Sequence, residues 1–117
     1  MKLALFHMGF FYSGGGERTV LTEAKLLQER GHEVVVFAPS IRDGKVFPEL
    51  IKDVLVKSFY IDFPFPVLRE SFNMVAHSIL SLFLTRRYYV FDAIICHSQP
   101  GPWIAYNVHR KYGTPYI

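Results

Sequence analysis

Apolar residues follow two rhythms along this chain, and their alternation predicts strands and helices in turn. Residues 2–7, Lys2-Leu3-Ala4-Leu5-Phe6-His7, form a short apolar run of the kind buried on both faces of a parallel sheet. Val20, Leu21, Ala24 and Leu27 then share one face of a helix, while Thr22, Glu23, Lys25, Gln28 and Glu29 lie largely elsewhere. Gly31 suits the position just past that helix, where a left-handed backbone ends it. Glu33-Val34-Val35-Val36-Phe37-Ala38-Pro39 reads as a second buried strand closed by a proline. The three segments make one βαβ unit, with a right-handed crossover expected.

The pattern loosens from Ser40 to Pro66. Arg42-Asp43-Gly44-Lys45 reads as a turn, residues 48–52 as a helical turn and residues 54–61 as a third strand. The prolines of Asp62-Phe63-Pro64-Phe65-Pro66 break regular structure. Leu68, Phe72, Val75, Ile79 and Leu82 then step by alternating fours and threes, predicting one helix from the prolines to Thr85 with a continuous apolar stripe. Phe91-Asp92-Ala93-Ile94-Ile95-Cys96 is a fourth strand, and His97-Ser98-Gln99-Pro100-Gly101 a polar loop at its carboxyl end. A helix follows with Pro102 at its first position and Gly113 as its stop; Pro115-Tyr116-Ile117 starts another strand. The order implies an α/β chain, a Rossmann-like parallel sheet with helices on both faces. Residues 1–117 are expected to form a single domain, incomplete at its last strand.

Composition narrows the function. Half of the 117 residues are hydrophobic, enough for a sizeable core, and the charge of +3 is scattered rather than striped with aromatics, which argues against nucleic acid. Cys96 is the only cysteine, so the chain forms no internal disulfide and offers no zinc spacing; a reducing, cytoplasmic setting follows. Residues 74–84, the longest nearly uncharged apolar stretch, fall short of the ~20 residues a membrane span needs. The start lacks a secretory signal pattern.

The candidate chemistry is concentrated at Ser13-Gly14-Gly15-Gly16-Glu17-Arg18, between the first strand and the first helix. Glycines there leave backbone N–H groups open to an anion at the positive end of the helix dipole. The run lacks the third glycine of the dinucleotide fingerprint, because Thr19 stands in its place, and it lacks the Gly-Lys-Ser/Thr of a phosphate-binding P-loop. Taken alone it is also an ordinary flexible turn. In sheets of this kind ligands bind beyond the carboxyl ends of the strands, at loops 8–16, 39–45 and 97–101.

Taken with its neighbours, the run resembles the N-terminal half of a GT-B glycosyltransferase of family 4. The carrying residues are Gly14-Gly15-Gly16-Glu17-Arg18, Arg30-Gly31-His32-Glu33-Val34, residues 91–98 ending in His97-Ser98, and Lys111-Tyr112-Gly113-Thr114-Pro115-Tyr116-Ile117. Gly16 stands where the family more often has alanine, and the middle of the chain matches only in outline. The resemblance implies transfer of a sugar, with retention, from a nucleotide-sugar donor to an acceptor, in a cleft between two Rossmann-like domains. It places Gly14, Gly15 and Gly16 near the donor diphosphate, Glu17 and Arg18 at the start of the helix, and His97 and Ser98 as acceptor contacts. It implies no cofactor and no metal, and a C-terminal donor-binding domain that these residues do not contain. The 117 residues alone are therefore expected to be inactive.

Two further readings remain open. One is a nucleotide- or NAD-binding Rossmann enzyme, opposed by the missing glycine and by Glu33, which lies at the start of the second strand rather than its end. The other is a non-catalytic docking module. The aromatics Phe59, Tyr60, Phe63, Phe65, Phe72 and Phe83 mix with Lys57, Arg69, Arg86, Arg87 and Tyr88-Tyr89, a blend suited to an anionic membrane surface. The plainer expectation is that the stripe on this helix covers the sheet, with Met74, Leu80 and Leu84 facing the rest of a longer chain. Cys96 reads as a small buried hydrophobe, and His7, His32, His77 and His109 carry no assigned role.

Overall fold

The computed structural model describes residues 1–7, 14–38, 47–58, 64–65, 68–98 and 101–117. The turn expected at residues 42–45, the aromatics Phe59, Tyr60 and Phe63 and most of loops 8–16 and 39–45 lie outside the described residues. Four strands, β1 (Lys2–Phe6), β2 (Glu33–Ala38), β3 (Leu55–Ser58) and β4 (Ala93–Cys96), form one sheet in the order β3-β2-β1-β4. Every pairing is parallel. Tyr116 adds an isolated parallel bridge to Ile94, so the run at Pro115, expected to begin a strand, lies alongside β4.

β1 is the centre of this sheet, and its side chains divide between two cores. Leu3 and Leu5 pack with Val34, Val36 and Ala38 beneath α1 (Gly15–Glu29), which contributes Val20, Leu21 and Ala24. The short α2 (Pro48–Ile51) adds Ile51 to the same side. Ala4 and Phe6 point the other way, against Ile94 and against Ile104, Ala105 and Val108 of α4 (Gly101–Tyr112). Tyr88 and Phe91 complete that side: Phe6 stacks on Phe37 at 5.2 Å, and the edges of Tyr88 and Phe91 meet the ring of Phe37 at 5.2 and 5.6 Å. Helices thus cover both faces, the three-layer arrangement that a parallel sheet requires.

Glycines punctuate the helices where the backbone needs them. Gly31 has φ +91°, and it and His32 donate to the carbonyls of Gln28 (3.0 Å) and Leu27 (3.1 Å), the paired closure of a Schellman motif. Gly113, at φ +75°, donates to His109 at 2.8 Å and ends α4. Gly101 has a different reason: a Cβ there would lie 2.6 Å from the Cβ of Phe6. α4 therefore begins one residue before Pro102, against the central strand.

The largest departure from expectation is α3 (Arg69–Leu80). Its helix stops at Leu80, and a turn and a short 3-10 helix (Thr85–Arg87) follow, so Arg86 and Arg87 do not close it. Nor does its apolar stripe cover the sheet: Leu68, Phe72, Val75, Ile79 and Leu82 are exposed. The physical reason is that α4, Tyr88 and Phe91 already occupy that face of the sheet. α3 packs outside α4 instead, and the side it buries carries polar groups. Asn73 is buried and donates to the Arg69 carbonyl (2.9 Å), while Ser81 accepts a 2.7 Å hydrogen bond from Asn107 of α4. The third strand is also shorter than residues 54–61 as far as it is described.

Replacing Gly101 with alanine is expected to destabilise the chain by about 1–3 kcal/mol, measured by urea denaturation, because Phe6 and the backbone of α4 are both held by the core. The corresponding Gly15→Ala change meets no atom within 4 Å and serves as the control.

Candidate functional site

The carboxyl ends of β1 and β4 are extended by one hydrogen bond each. The N–H of His7 donates to the Phe37 carbonyl (3.0 Å) and that of His97 to the Phe6 carbonyl (2.9 Å). Both imidazoles thereby arrive at the same edge of the sheet, beside the start of α1. Gly14 is the N-cap, with extended backbone, and no side chain caps the helix. The first intrahelical bond of this end runs from Arg18 to the Gly14 carbonyl at 3.1 Å. The N–H groups of Gly15, Gly16 and Glu17 precede it, so they have no carbonyl one turn back. Gly15 and Gly16 are exposed, and the two glycines are helical residues rather than members of a loop.

Glu17 does more than favour the helix end electrostatically. It is buried, and its carboxylate lies 3.6 Å from His7 Nε2. Ser98 Oγ lies 3.4 Å from the other ring nitrogen of His7. A neutral His7 with its proton on Nε2 matches both neighbours, offering a donor to the carboxylate and an acceptor to the hydroxyl. Burial holds the His7 pKa below its ordinary 6.5; the Glu17 carboxylate pulls it upward by hydrogen bonding and charge, and the nearby His97 pushes it down. A second pair lies one turn and a half further along α1, where Glu23 meets His97 Nε2 at 2.6 Å.

The structure therefore brings Gly14, Gly15, Gly16, His97 and Ser98 to one edge, and it adds His7, Glu17 and Glu23. His7 has no assigned role in the sequence reading; the signal that could find it is its position at a carboxyl strand end, shared with His97. Arg18 points elsewhere, over the ring of Phe47 at 6.0 Å. Burial pushes the Cys96 thiol up to about 11, in keeping with a packed, unreactive side chain. Among the described residues no group of three metal-ligating side chains converges. A groove of about 580 Å³ runs along α1 past Gly15, Thr19, Glu23 and Arg30. What such an edge can do is bind an anion at the helix start and hydrogen-bond a hydroxylated ligand beside it.

A parallel sheet in this order, covered on both faces and with its polar groups at the carboxyl edge, is a Rossmann-like domain of the GT-B kind. The chain belongs to glycosyltransferase family 4, whose model matches residues 13–117. Among solved structures it is similar to a glycosyltransferase from Rickettsia africae (TM-score 0.60, 21% identity, 98% of this chain and 28% of that one). It is similar also to MurG of Acinetobacter baumannii (TM-score 0.57, 19% identity, 99% and 34%). The C-terminal domain of a hydrogenase from Pyrococcus furiosus shares the fold as well (TM-score 0.64, 16% identity, 99% and 88%). The chain thus spans about a third of the length of the two transferases. No curated protein matches it significantly in sequence.

Two outcomes are expected at this edge. A neutral, buried His7 contributes stability that is complete above pH 6.5 and is lost as the pH falls below it toward the lowered native pKa. Melting temperature should therefore drop more steeply in the parent chain than in His7→Gln between neutral pH and about pH 5. Gly16→Ala places its Cβ 3.5 Å from the His7 ring, an ordinary contact, and should raise stability by about 0.5–1 kcal/mol in chemical denaturation.

Proposed function

We propose that this chain is the acceptor-side part of a retaining glycosyltransferase that uses a nucleotide-sugar donor and transfers a hexose. The observation that carries the reading is the start of α1: three successive glycines at the carboxyl edge, Gly15 and Gly16 exposed, with no side-chain hydrogen bond capping the helix among the described residues. A donor diphosphate approaching there meets the positive end of a 15-residue helix. Holding the departing diphosphate stabilises the negative charge that develops as the glycosidic bond to the nucleotide breaks. His97 and Ser98, on the neighbouring strand end, are placed to hydrogen-bond an acceptor hydroxyl, with Glu23 orienting the His97 ring and His7 the Ser98 hydroxyl.

In this reading the groups that bind the nucleotide and sugar belong to a second domain, so the 117 residues bind weakly and do not turn over. The NAD reading is disfavoured by Glu33, which opens β2 at the edge opposite the glycines and pairs there with Lys2 at 3.8 Å. A ribose-binding acid belongs at the other end of that strand.

Titrating UDP-glucose, GDP-mannose and NAD separately into isotope-labelled protein tests the reading. Amide shifts at Gly15 and Gly16 with a nucleotide sugar, and none there with NAD, are expected; shifts with NAD alone would sink the proposal. Gly15→Asp should weaken the nucleotide-sugar response about tenfold while leaving the melting temperature unchanged or higher, since an acidic residue suits a helix start.

A further inference from the structure

Arg86 and Arg87 do not close α3, and Arg87 has another destination. It lines a cavity of about 390 Å³ together with Phe37, Lys57, Ser58, Val90 and Phe91. The floor of this cavity is apolar, since Phe37 is buried and the Phe91 ring meets it edge-on. Its walls carry two cations, and none of the described lining residues is acidic.

The fold itself brings the two cations together. Phe37 and Lys57 are register partners in β2 and β3, so their side chains leave the sheet on one face. Tyr88 and Phe91 pack on that same face. Arg87 stands one residue before Tyr88 and hydrogen-bonds its hydroxyl; burial raises the Tyr88 pKa, and the charge and hydrogen bond of Arg87 draw it back. The guanidinium is thus held by a neutral group that cancels none of its charge and takes only part of its donor set. Both Lys57 and Arg87 are exposed, so a ligand reaches them from water.

Charge and distance indicate that ligand. Two positive charges with no acid lining the same cavity match the roughly −1.5 to −2 of a phosphate monoester at neutral pH, whereas a phosphodiester or a carboxylate brings a single charge. Arg87 supplies a planar fork for two oxygens and Lys57 a compact charge for the third. The apolar floor suits the carbon skeleton that bears the phosphate, which favours an ester over the free ion. Phe6, Phe37 and Lys57 lie in one row across three strands, so Lys57 stands about 10 Å from the end of β1, where Ser98 meets His7. A sugar ring carrying a phosphate, together with the length of a lysine side chain, bridges that distance.

We propose that this cavity is a phosphate subsite for the acceptor, in which Lys57 and Arg87 hold a phosphate monoester borne by a sugar whose free hydroxyl lies toward His97 and Ser98. The role of that sugar as acceptor rests on the transferase reading. The phosphate site does not, because its ligand and its reporting residues differ from those of the glycine edge.

Glucose 6-phosphate, glucose, inorganic phosphate, glycerophosphoglycerol and UDP-glucose, each titrated into isotope-labelled protein, test the subsite. Glucose 6-phosphate should shift the amides of Lys57, Ser58 and Arg87, and glucose should leave them in place. Inorganic phosphate and the diester should bind about tenfold more weakly. Lys57→Ala and Arg87→Lys should each weaken glucose 6-phosphate binding about tenfold, whereas Lys111→Ala, which removes an equal charge at the end of α4, should not. Lys57 is exposed on an edge strand, so its variant keeps the parent melting temperature. Failure of glucose 6-phosphate to shift these amides overturns the proposal, as does binding that both cavity substitutions leave intact. Equal affinity for inorganic phosphate overturns it in favour of a bare anion site, and equal affinity for the diester in favour of a lipid headgroup. Shifts at Lys57 and Ser58 with UDP-glucose and none with glucose 6-phosphate overturn it in favour of the donor. A glucose 6-phosphate response at the cavity, without a UDP-glucose response at Gly15 and Gly16, upholds the phosphate site while the transferase reading fails.

Discussion

The two-sided burial of β1 governs the rest of the molecule. A central parallel strand has no face to leave in water, because the connection to each parallel neighbour must return over the sheet. Leu5 and Phe6, adjacent in sequence and both fully buried, belong to different cores, one under α1 and one under α4. The closeness of these layers shows at Gly101, where the helix comes so near the strand that no side chain fits between them. Phe6 is held from three sides, by that glycine, by Phe37 and by Tyr88.

The same constraint builds the functional edge. Parallel strands end together, so β1 and β4 deliver His7 and His97 to one place, and the crossover from β1 begins α1 at that place too. Two carboxylates of α1, Glu17 and Glu23, then reach the two imidazoles. Helix α1 is therefore tied to both strand ends by polar contacts as well as by its apolar face. Among the described residues no side chain caps the helix start, and its buried acid, Glu17, lies against His7 instead.

The strand and helix order could be read from the chain because each segment of the sheet kept its own period, and Gly31 and Gly113 stop their helices where left-handed backbone was expected. Family membership was legible from the motifs at both ends, and His97 and Ser98 do reach the edge to which the glycines lead. The role of His7 was hidden, since local sequence does not say that Ser98, 91 residues away, will face it. α3 was misread for a related reason. Its stripe has the right period for a core helix, but period alone does not say which helix covers the sheet; α4 and the Tyr88–Phe91 segment occupy that face. The buried polar residues Asn73, Ser81 and Asn107 marked the true inward side, though only in combination.

The position of α3 also bears on how such a domain diversifies. It rests on another helix rather than on the strands, joined through the Ser81–Asn107 hydrogen bond, while the glycine helix and the histidines sit on separate elements. Exchanging the outer surface of α3 therefore leaves untouched both the packed layers and the polar carboxyl edge. A helix attached in this way is a replaceable cartridge: its outward residues can drift at little cost to the sheet and the carboxyl edge.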